Sequence, residues 1–185
     1  MVEEILADVA DSFSKSLDAM HRDLNKVRTG RANLSILDDI RVDYYGSQTP
    51  LNQVAALTVA DPRLITIRPW EKNMIPVVEK AIVQADIGIN PNNDGEIIRL
   101  PIPPLSGERR KELVRQVRRY GEDAKVSIRN HRRDANDMLK ELAKEGEASE
   151  DERDRALKKV QAATDEWVGK VDEVVGAKET ELLEG

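Results

Sequence analysis

Cysteine is absent from this chain of 185 residues, which excludes disulfides, thiolate nucleophiles and cysteine-based zinc sites. No apolar run approaches the roughly 18 residues that a membrane-spanning helix needs. The opening stretch, MVEEILADVADSF, is acidic and lacks the basic start of a signal or transit peptide. We therefore expect a cytoplasmic protein in a reducing compartment, with no membrane partner.

Catalytic and metal-binding patterns are also lacking. There is no Gly-rich phosphate loop and no combination of nucleophile, base and oxyanion donors. The segment NPNNDG resembles the start of an EF-hand loop, but Asn90 and Pro101 occupy the positions where calcium needs Asp and Glu. The sequence therefore predicts a protein that is not an enzyme and that holds no metal or cofactor.

Residues 1–30 have the pattern of one amphipathic helix. Apolar residues recur at steps of three and four, which gives the helix a single apolar face. Gly30 offers a C-terminal cap, and Arg28 lies near the negative end of the helix dipole. The predicted apolar seam consists of Leu6, Val9, Phe13, Leu17, Met20, Leu24 and Val27.

Residues 31–104 have a different, mixed pattern. In the stretch IRVDY, apolar residues alternate with polar ones, as in a half-buried strand. Pro101, Pro103 and Pro104 stop any regular structure at the end of the segment. We predict strands at residues 40–44, 64–67 and 96–100, with a short helix at residues 75–85.

Two long helices are predicted after this segment. The first runs from Ser106 to about Glu145, roughly 60 Å at 1.5 Å per residue, and Gly146 ends it. Ser149 and Glu152 have the spacing of a capping box that starts the last helix. The predicted seams are Leu113, Val117, Tyr120, Ala124, Ile128, His131, Ala135, Met138 and Leu142 in the first, and Ala156, Val160, Ala163, Trp167, Val171, Val174 and Leu182 in the second.

Three helices that each have one apolar face are most simply packed as a bundle. The fold class predicted is α+β: a three-helix bundle of residues 1–30 and 105–185, with a small β/α/β domain of residues 31–104 inserted into it. The two domains are joined by two thin connections, and such a junction favours a hinge. The predicted hinge residues are Gly30, Arg31, Pro103, Pro104 and Leu105.

Charge is distributed unevenly along a chain whose formal net charge is −6. Residues 108–133 contain ten basic and four acidic side chains, whereas residues 145–185 contain six basic and thirteen acidic ones. A helical projection at about 100° per residue places the basic residues on one side and the seam on another. We therefore expect a basic stripe that points away from the bundle, formed by Lys111, Arg115, Arg118, Arg119, Lys125, Arg129, Arg132 and Arg133.

Two interpretations of the stripe compete. A solvated helix face would normally mix charges of both signs, and here only Glu122 and Asp123 interrupt the basic residues. The single sign favours a polyanion-binding surface. The stripe contains only one aromatic, Tyr120, which lies on the seam side, so stacking on single-stranded bases is disfavoured and contact with phosphates of a folded RNA is favoured.

Several irregular blocks of the sequence resemble the ribosome recycling factor family, in order and over nearly the whole chain. They are RTGRA (28–32), DYYG (43–46), TPLNQ (49–53), DIGINPNNDG (86–95), IRLPIPPL (98–105), ERRKELV (108–114) and KVSIRNHRRDAND (125–137). The resemblance implies an L-shaped, tRNA-like monomer that acts after termination. It implies binding to the large ribosomal subunit across the A and P sites, and subunit splitting with elongation factor G and its GTP hydrolysis.

The resemblance also implies roles for particular residues. The principal RNA-contacting arginine of the family matches Arg132, and the small domain is the part that meets elongation factor G. The full set of predicted RNA-binding residues is Arg28, Arg31, Arg118, Lys125, Arg129, Arg132 and Arg133.

His131 and Gly107 depart from the family pattern, at a position near Arg132 and in the first turn of the second helix. We expect His131 to be a seam residue and not a catalytic base. The alternative function is a helical adaptor or chaperone-like module that binds proteins, and it predicts binding that does not require RNA.

Overall fold

The computed structural model describes residues 1–184, which divide into two compact units. Met1–Val27 and Lys111–Glu184 form one unit, and Arg28–Arg110 form the other. The predicted α+β class is confirmed: helices α1 (Val2–Asn25), α3 (Gly107–Lys144) and α4 (Glu150–Glu184) form a bundle, and a unit containing β-sheet is inserted between α1 and α3. The hinge and the domain bounds at residues 30–31 and 104–105 stay predictions.

The core of the bundle lies along the apolar seams of its three helices. Phe13 of α1, Ile128 of α3 and Leu182 of α4 are fully buried. Met138, which the projection places in the seam, is 53 % exposed, and Leu139 is buried in its place. An α-helix has 3.6 residues per turn, so an apolar seam with a seven-residue repeat rotates slowly around the helix axis. Along the 38 residues of α3 this rotation moves the buried face from Met138 to Leu139.

Helix α1 ends at Asn25, so the prediction of one helix over residues 1–30 is wrong at its C-terminal end. The N–H of Lys26 donates to Asp23 O and the N–H of Val27 to Leu24 O, and Val27 and Thr29 are buried beyond the helix. Gly30, with φ of +76°, is part of the connecting segment and does not cap the helix. Burial of two β-branched residues in the connection outweighs the continued helical pattern of the sequence.

The junction between α3 and α4 follows the prediction. The N–H of Gly146 donates to the carbonyl of Ala143, and the N–H of Glu147 donates to that of Leu142, which closes α3 in a Schellman motif. The predicted capping box is present: Ser149 N donates to Glu152 Oε2 at 2.8 Å, and Glu152 N donates to Ser149 Oγ at 3.1 Å. These bonds satisfy backbone groups that a helix end leaves without partners.

The inserted unit contains a hairpin, a four-stranded sheet and one α-helix. Strands β1 (Arg41–Tyr44) and β2 (Ser47–Pro50) pair antiparallel. Strands β3 (Ala55–Asp61), β4 (Leu64–Pro69), β5 (Asn92–Asn93) and β6 (Ile98–Pro101) form an antiparallel sheet in the order β3-β4-β6-β5, and helix α2 spans Ile75–Gln84. The core of this unit includes Val78 and Ile82 of α2 with Val42, Ile65, Ile67, Ile98 and Leu100 from the strands.

The sequence predicts β1, β4, β6 and α2 but misses β2, β3 and β5. Strand β3 is the longest of the unit, yet its second half, from Thr58 to Asp61, is exposed and shows no alternation of burial. Strand β2 is polar, and β5 has only two residues. These strands are fixed by hydrogen bonds to their neighbours, and such pairing leaves no local signal in the sequence.

Candidate nucleic-acid interface

Helix α3 presents one row of exposed arginines that face away from its buried seam. The row consists of Arg115, Arg119, Arg129 and Arg133, all of which are exposed. At about 100° per residue they lie within about 80° of one another around the helix axis. In the described part of the chain, none of the four forms an ion pair. We call this set the free arginine row, because none of its members is in an ion pair among the described residues.

A second row of basic residues on α3 faces the acidic helix α4. Arg118 Nε lies 2.6 Å from Glu179 Oε1, and Lys125 Nζ forms an ion pair with Asp172 Oδ1. Hydrogen bonding to Glu179 raises the pKa of Arg118, and hydrogen bonding to Asp172 raises the pKa of Lys125. We call Arg118 and Lys125 the paired row.

The direction of the paired row differs from the direction that the sequence-based projection predicts. The predicted stripe points away from the bundle, but the side chain of Lys125 is only 17 % exposed and reaches toward α4. The projection treats α3 as an isolated helix, so it contains no information about where carboxylates on a neighbouring helix lie. Attraction by Asp172 and Glu179 draws the two basic side chains sideways.

Arg132 also lies on the α4 side of α3, but it has a neutral partner. Its Nη1 donates to Gln161 Oε1 at 3.4 Å, and Gln161 Nε2 donates to Asp165 Oδ1 at 2.9 Å. Arg132 is half-buried and forms no ion pair among the described residues. Arg132 is therefore held by an amide and not by a carboxylate, unlike Arg118 and Lys125 of the paired row.

The structure does not place all the predicted RNA-binding residues on one surface element. Arg118, Lys125, Arg129, Arg132 and Arg133 lie on α3, whereas Arg28 and Arg31 belong to the inserted unit. The guanidinium of Arg28 packs on the turn at Gly88, where its Nη1 would be 2.9 Å from an added Cβ. Arg31 is exposed. Arg28 is thus held against the inserted unit's own backbone.

The predicted hinge residues lie where the two connecting segments meet. A Cβ added to Gly30 would be 3.4 Å from Leu105 Cγ. Both segments also bind the β3–β4 turn, because Ala32 N donates to Pro62 O at 2.7 Å and Ile102 N donates to Arg63 O at 2.8 Å. The entry to and exit from the inserted unit are therefore side by side.

Sequence reasoning did not single out Gln161 and Asp165, which form a hydrogen-bonded chain with Arg132, and its predicted RNA-binding set did not include Arg115 and Arg119. The two arginines were signalled by their spacing of four residues within the basic stripe. Gln161 gave no such signal, because one amide on a charged helix looks like any solvated residue.

Two other sequence features have structural roles. Asp94, in the loop that resembles an EF-hand, accepts hydrogen bonds from Ile97 N, Glu96 N and Arg99 Nη1, and these bonds lower the pKa of its carboxyl well below the usual range. His131 is half-buried, as expected for a seam residue, with Nε2 3.4 Å from Ser127 Oγ.

Residues 1–184 contain neither a candidate metal cluster nor a helix that could span a membrane. No group of three or more His, Asp or Glu residues in this range could hold a metal ion. Within the same residues, none of the helices combines the length and apolarity that crossing a bilayer requires.

The fold defines a class of protein: a three-helix bundle with an inserted β-sheet domain, which here carries a row of exposed arginines along α3. The chain belongs to the ribosome recycling factor family, whose model matches residues 20–183. Members of this family are translation factors and not enzymes.

Curated relatives of similar length support this assignment. The ribosome-recycling factor of Sorangium cellulosum is 50 % identical over 184 residues, and that of Legionella pneumophila is 52 % identical over 184 residues. In both comparisons the match covers 100 % of this chain and 100 % of the relative.

Solved structures show the same similarity. A solution structure of a ribosome recycling factor matches with a TM-score of 0.82 and 36 % identity, covering 100 % of this chain and 98 % of the other. The T. thermophilus factor, described with E. coli elongation factor G bound to the E. coli post-termination complex, matches with a TM-score of 0.68 and 45 % identity, covering 99 % of each chain.

Proposed function

We propose that this protein recycles ribosomes after termination. It binds the large subunit across the A and P sites and, together with elongation factor G and GTP, splits the post-termination complex. The observation that supports this most is similarity over 99 % of the chain to a recycling factor described with elongation factor G on a post-termination complex. The protein acts as a cytoplasmic monomer.

In this proposal the bundle supplies the RNA-binding surface. The free arginine row and Arg132 bind phosphates of ribosomal RNA, since arginine makes charge-assisted, bidentate hydrogen bonds to phosphate oxygens. Arg115 and Arg133, the ends of the row, are separated by roughly 27 Å along α3 at 1.5 Å per residue. A straight row of this length suits a folded RNA better than a single small anion.

The paired row has a different part in the proposal. Glu179 and Asp172 neutralise Arg118 and Lys125, so the basic surface that remains is narrow. Arg118 and Lys125 therefore contribute little to RNA binding. A narrow basic surface on an acidic protein limits indiscriminate attraction to nucleic acid.

Ribosome splitting tests the proposed function directly. Light scattering of bacterial post-termination complexes should fall when this protein, elongation factor G and GTP are added together, and should stay constant when any one of the three is left out. If the complexes remain intact under conditions in which a ribosome recycling factor of known activity splits them, the proposal is wrong.

Charge reversal at Arg132 tests the RNA-binding surface. Arg132→Glu should abolish splitting and weaken co-sedimentation with isolated large subunits by at least tenfold, because an attraction to phosphate becomes a repulsion. Arg68→Glu, an equal change of charge at an exposed position of β4, is the matched control and should bind as wild type does. A folded Arg132→Glu protein with unchanged binding would remove Arg132 from the interface.

A further inference from the structure

Helices α3 and α4 run antiparallel and meet in a repeating register. Arg118 pairs with Glu179, and seven residues further along α3 Lys125 pairs with Asp172, seven residues earlier on α4. Seven residues are close to two helical turns, so each step returns to the same pair of faces. The next step of this register brings Arg132 opposite Asp165.

Arg132 does not continue the series of ion pairs, because Gln161 lies between it and Asp165. Gln161 is one turn before Asp165 on α4, and its Nε2 donates to the carboxylate at 2.9 Å. Its Oε1 accepts from Arg132 Nη1 at 3.4 Å. If the amide were flipped, its NH2 group would face the guanidinium, which has only donors, and its oxygen would face the carboxylate, which has only acceptors. The neighbouring groups therefore fix the observed orientation of the amide.

We propose that Gln161 is a positioning residue for Arg132. The NH2 group of Gln161 donates to the carboxylate of Asp165, and its oxygen accepts from the guanidinium of Arg132. Arg132 is thus held in place by a neutral group and forms no ion pair with Asp165. This inference rests on the proposed function, in which Arg132 binds ribosomal RNA.

The advantage of a neutral acceptor is electrostatic. An arginine that is already in an ion pair must give up that pair, or share it with the phosphate, before it binds RNA, and the lost attraction lowers the affinity. An arginine that is held only by an amide keeps its full charge for the phosphate. Its guanidinium is also restricted in orientation, so less side-chain entropy is lost on binding.

Substitution of Gln161 by glutamate tests the inference. Gln161→Glu keeps the length of the side chain and places a carboxylate where Arg132 now has an amide oxygen. Affinity for isolated large subunits should fall about tenfold, and the slope of log K against log salt should become shallower by about one, because one phosphate contact is lost. Ala162→Glu adds the same charge at an exposed position about 100° around α4 and should leave both quantities unchanged.

A second pair of variants separates positioning from general stability. In Gln161→Leu, Asp165 is free to capture Arg132, so the affinity and the slope should both fall. In Gln161→Leu combined with Asp165→Asn no carboxylate remains to capture Arg132, so the slope should recover, and the affinity should recover in part, because the amide that holds Arg132 is still missing. A residue that only stabilises the fold would lower the melting temperature and would not be rescued in this way.

Each outcome decides between the inference and the function on which it rests. If Gln161→Glu and Gln161→Leu bind as wild type while Arg132→Gln loses affinity, the positioning role is wrong and the RNA-binding role of Arg132 stands. If Arg132→Gln also binds as wild type, both are wrong. Loss in Gln161→Glu together with recovery in the double variant supports the inference.

Discussion

Basic residues that are equivalent by sequence have different surroundings in the folded protein. Arg118 is held by Glu179, Arg132 is held by an amide, and Arg129 is exposed without an ion pair among the described residues. A paired arginine has less attraction left for an external phosphate than an unpaired one, since its field is partly cancelled at short range. We therefore expect the contribution of each arginine to RNA affinity to depend on its neighbours on α4.

Truncation of a paired arginine should affect stability more than binding. We expect Arg118→Ala to lower the free energy of unfolding only slightly, because an exposed ion pair contributes little to stability. We expect Arg129→Ala to leave stability nearly unchanged and to weaken large-subunit binding. Urea titration and co-sedimentation measure the two effects. Equal loss of binding in both variants would show that the pair with Glu179 opens on the ribosome.

At the scale of the helices, the close approach of α3 and α4 depends on Gly121. Gly121 is buried in the interior of α3, where glycine costs about 1 kcal/mol relative to alanine. A Cβ added there would lie 2.6 Å from Val175 Cγ2, far inside ordinary contact distance. The glycine is therefore required by packing, even though it lowers the helix propensity of α3.

Alanine at this position should destabilise the bundle in spite of its better helix propensity. The methyl of Val175 belongs to a stiff, β-branched side chain, so relief requires a shift of the helices. We predict that Gly121→Ala lowers the free energy of unfolding by about 1–2 kcal/mol. The addition of Val175→Ala should recover part of the loss, and strictly additive destabilisation in the double variant would show that the two residues do not conflict.

The start of α4 should depend on pH through its capping box. The backbone N–H of Ser149 donates to Glu152 and lowers the pKa of its carboxyl. A lowered pKa in the folded state means that the box stabilises the protein above the ordinary glutamate range, and that this stabilisation is lost as pH falls through the folded value. The melting temperatures of wild type and Glu152→Gln should therefore differ near pH 7 and converge as the pH falls below the folded pKa of Glu152. A constant difference would contradict the role of the charge.

Most features within one element could be predicted from the sequence, whereas features between elements could not. The capping box at Ser149, the end of α3 at Gly146 and most of the seams follow from spacing alone. The position of Lys125 depends on Asp172, 47 residues further along the chain (172 − 125), and no periodicity within α3 encodes it. Strand β3 was missed for the same reason, since its pairing with β4 defines it.

At the scale of the whole molecule, the inserted unit should be separable from the bundle. Gly30 and Leu105 are adjacent, with an added Gly30 Cβ 3.6 Å from Leu105 N, so a linker of two glycines can replace residues 31–104. We predict that the shortened protein folds as a helical bundle, binds large subunits and fails to split ribosomes. Splitting by the shortened protein would show that the inserted unit is not needed for the reaction.

The salt dependence of large-subunit binding tests the central claim most directly, namely that the free arginine row binds ribosomal RNA. Each phosphate contact contributes about 0.7–0.9 to the slope of log K against log salt. Replacing Arg115, Arg119, Arg129 and Arg133 by glutamine should reduce the magnitude of the wild-type slope by about three, while Arg118→Gln with Lys125→Gln should leave it nearly unchanged. The account would be contradicted if the quadruple variant kept the wild-type slope. It would also be contradicted if the paired-row variant lost as much slope per replaced residue as the quadruple variant.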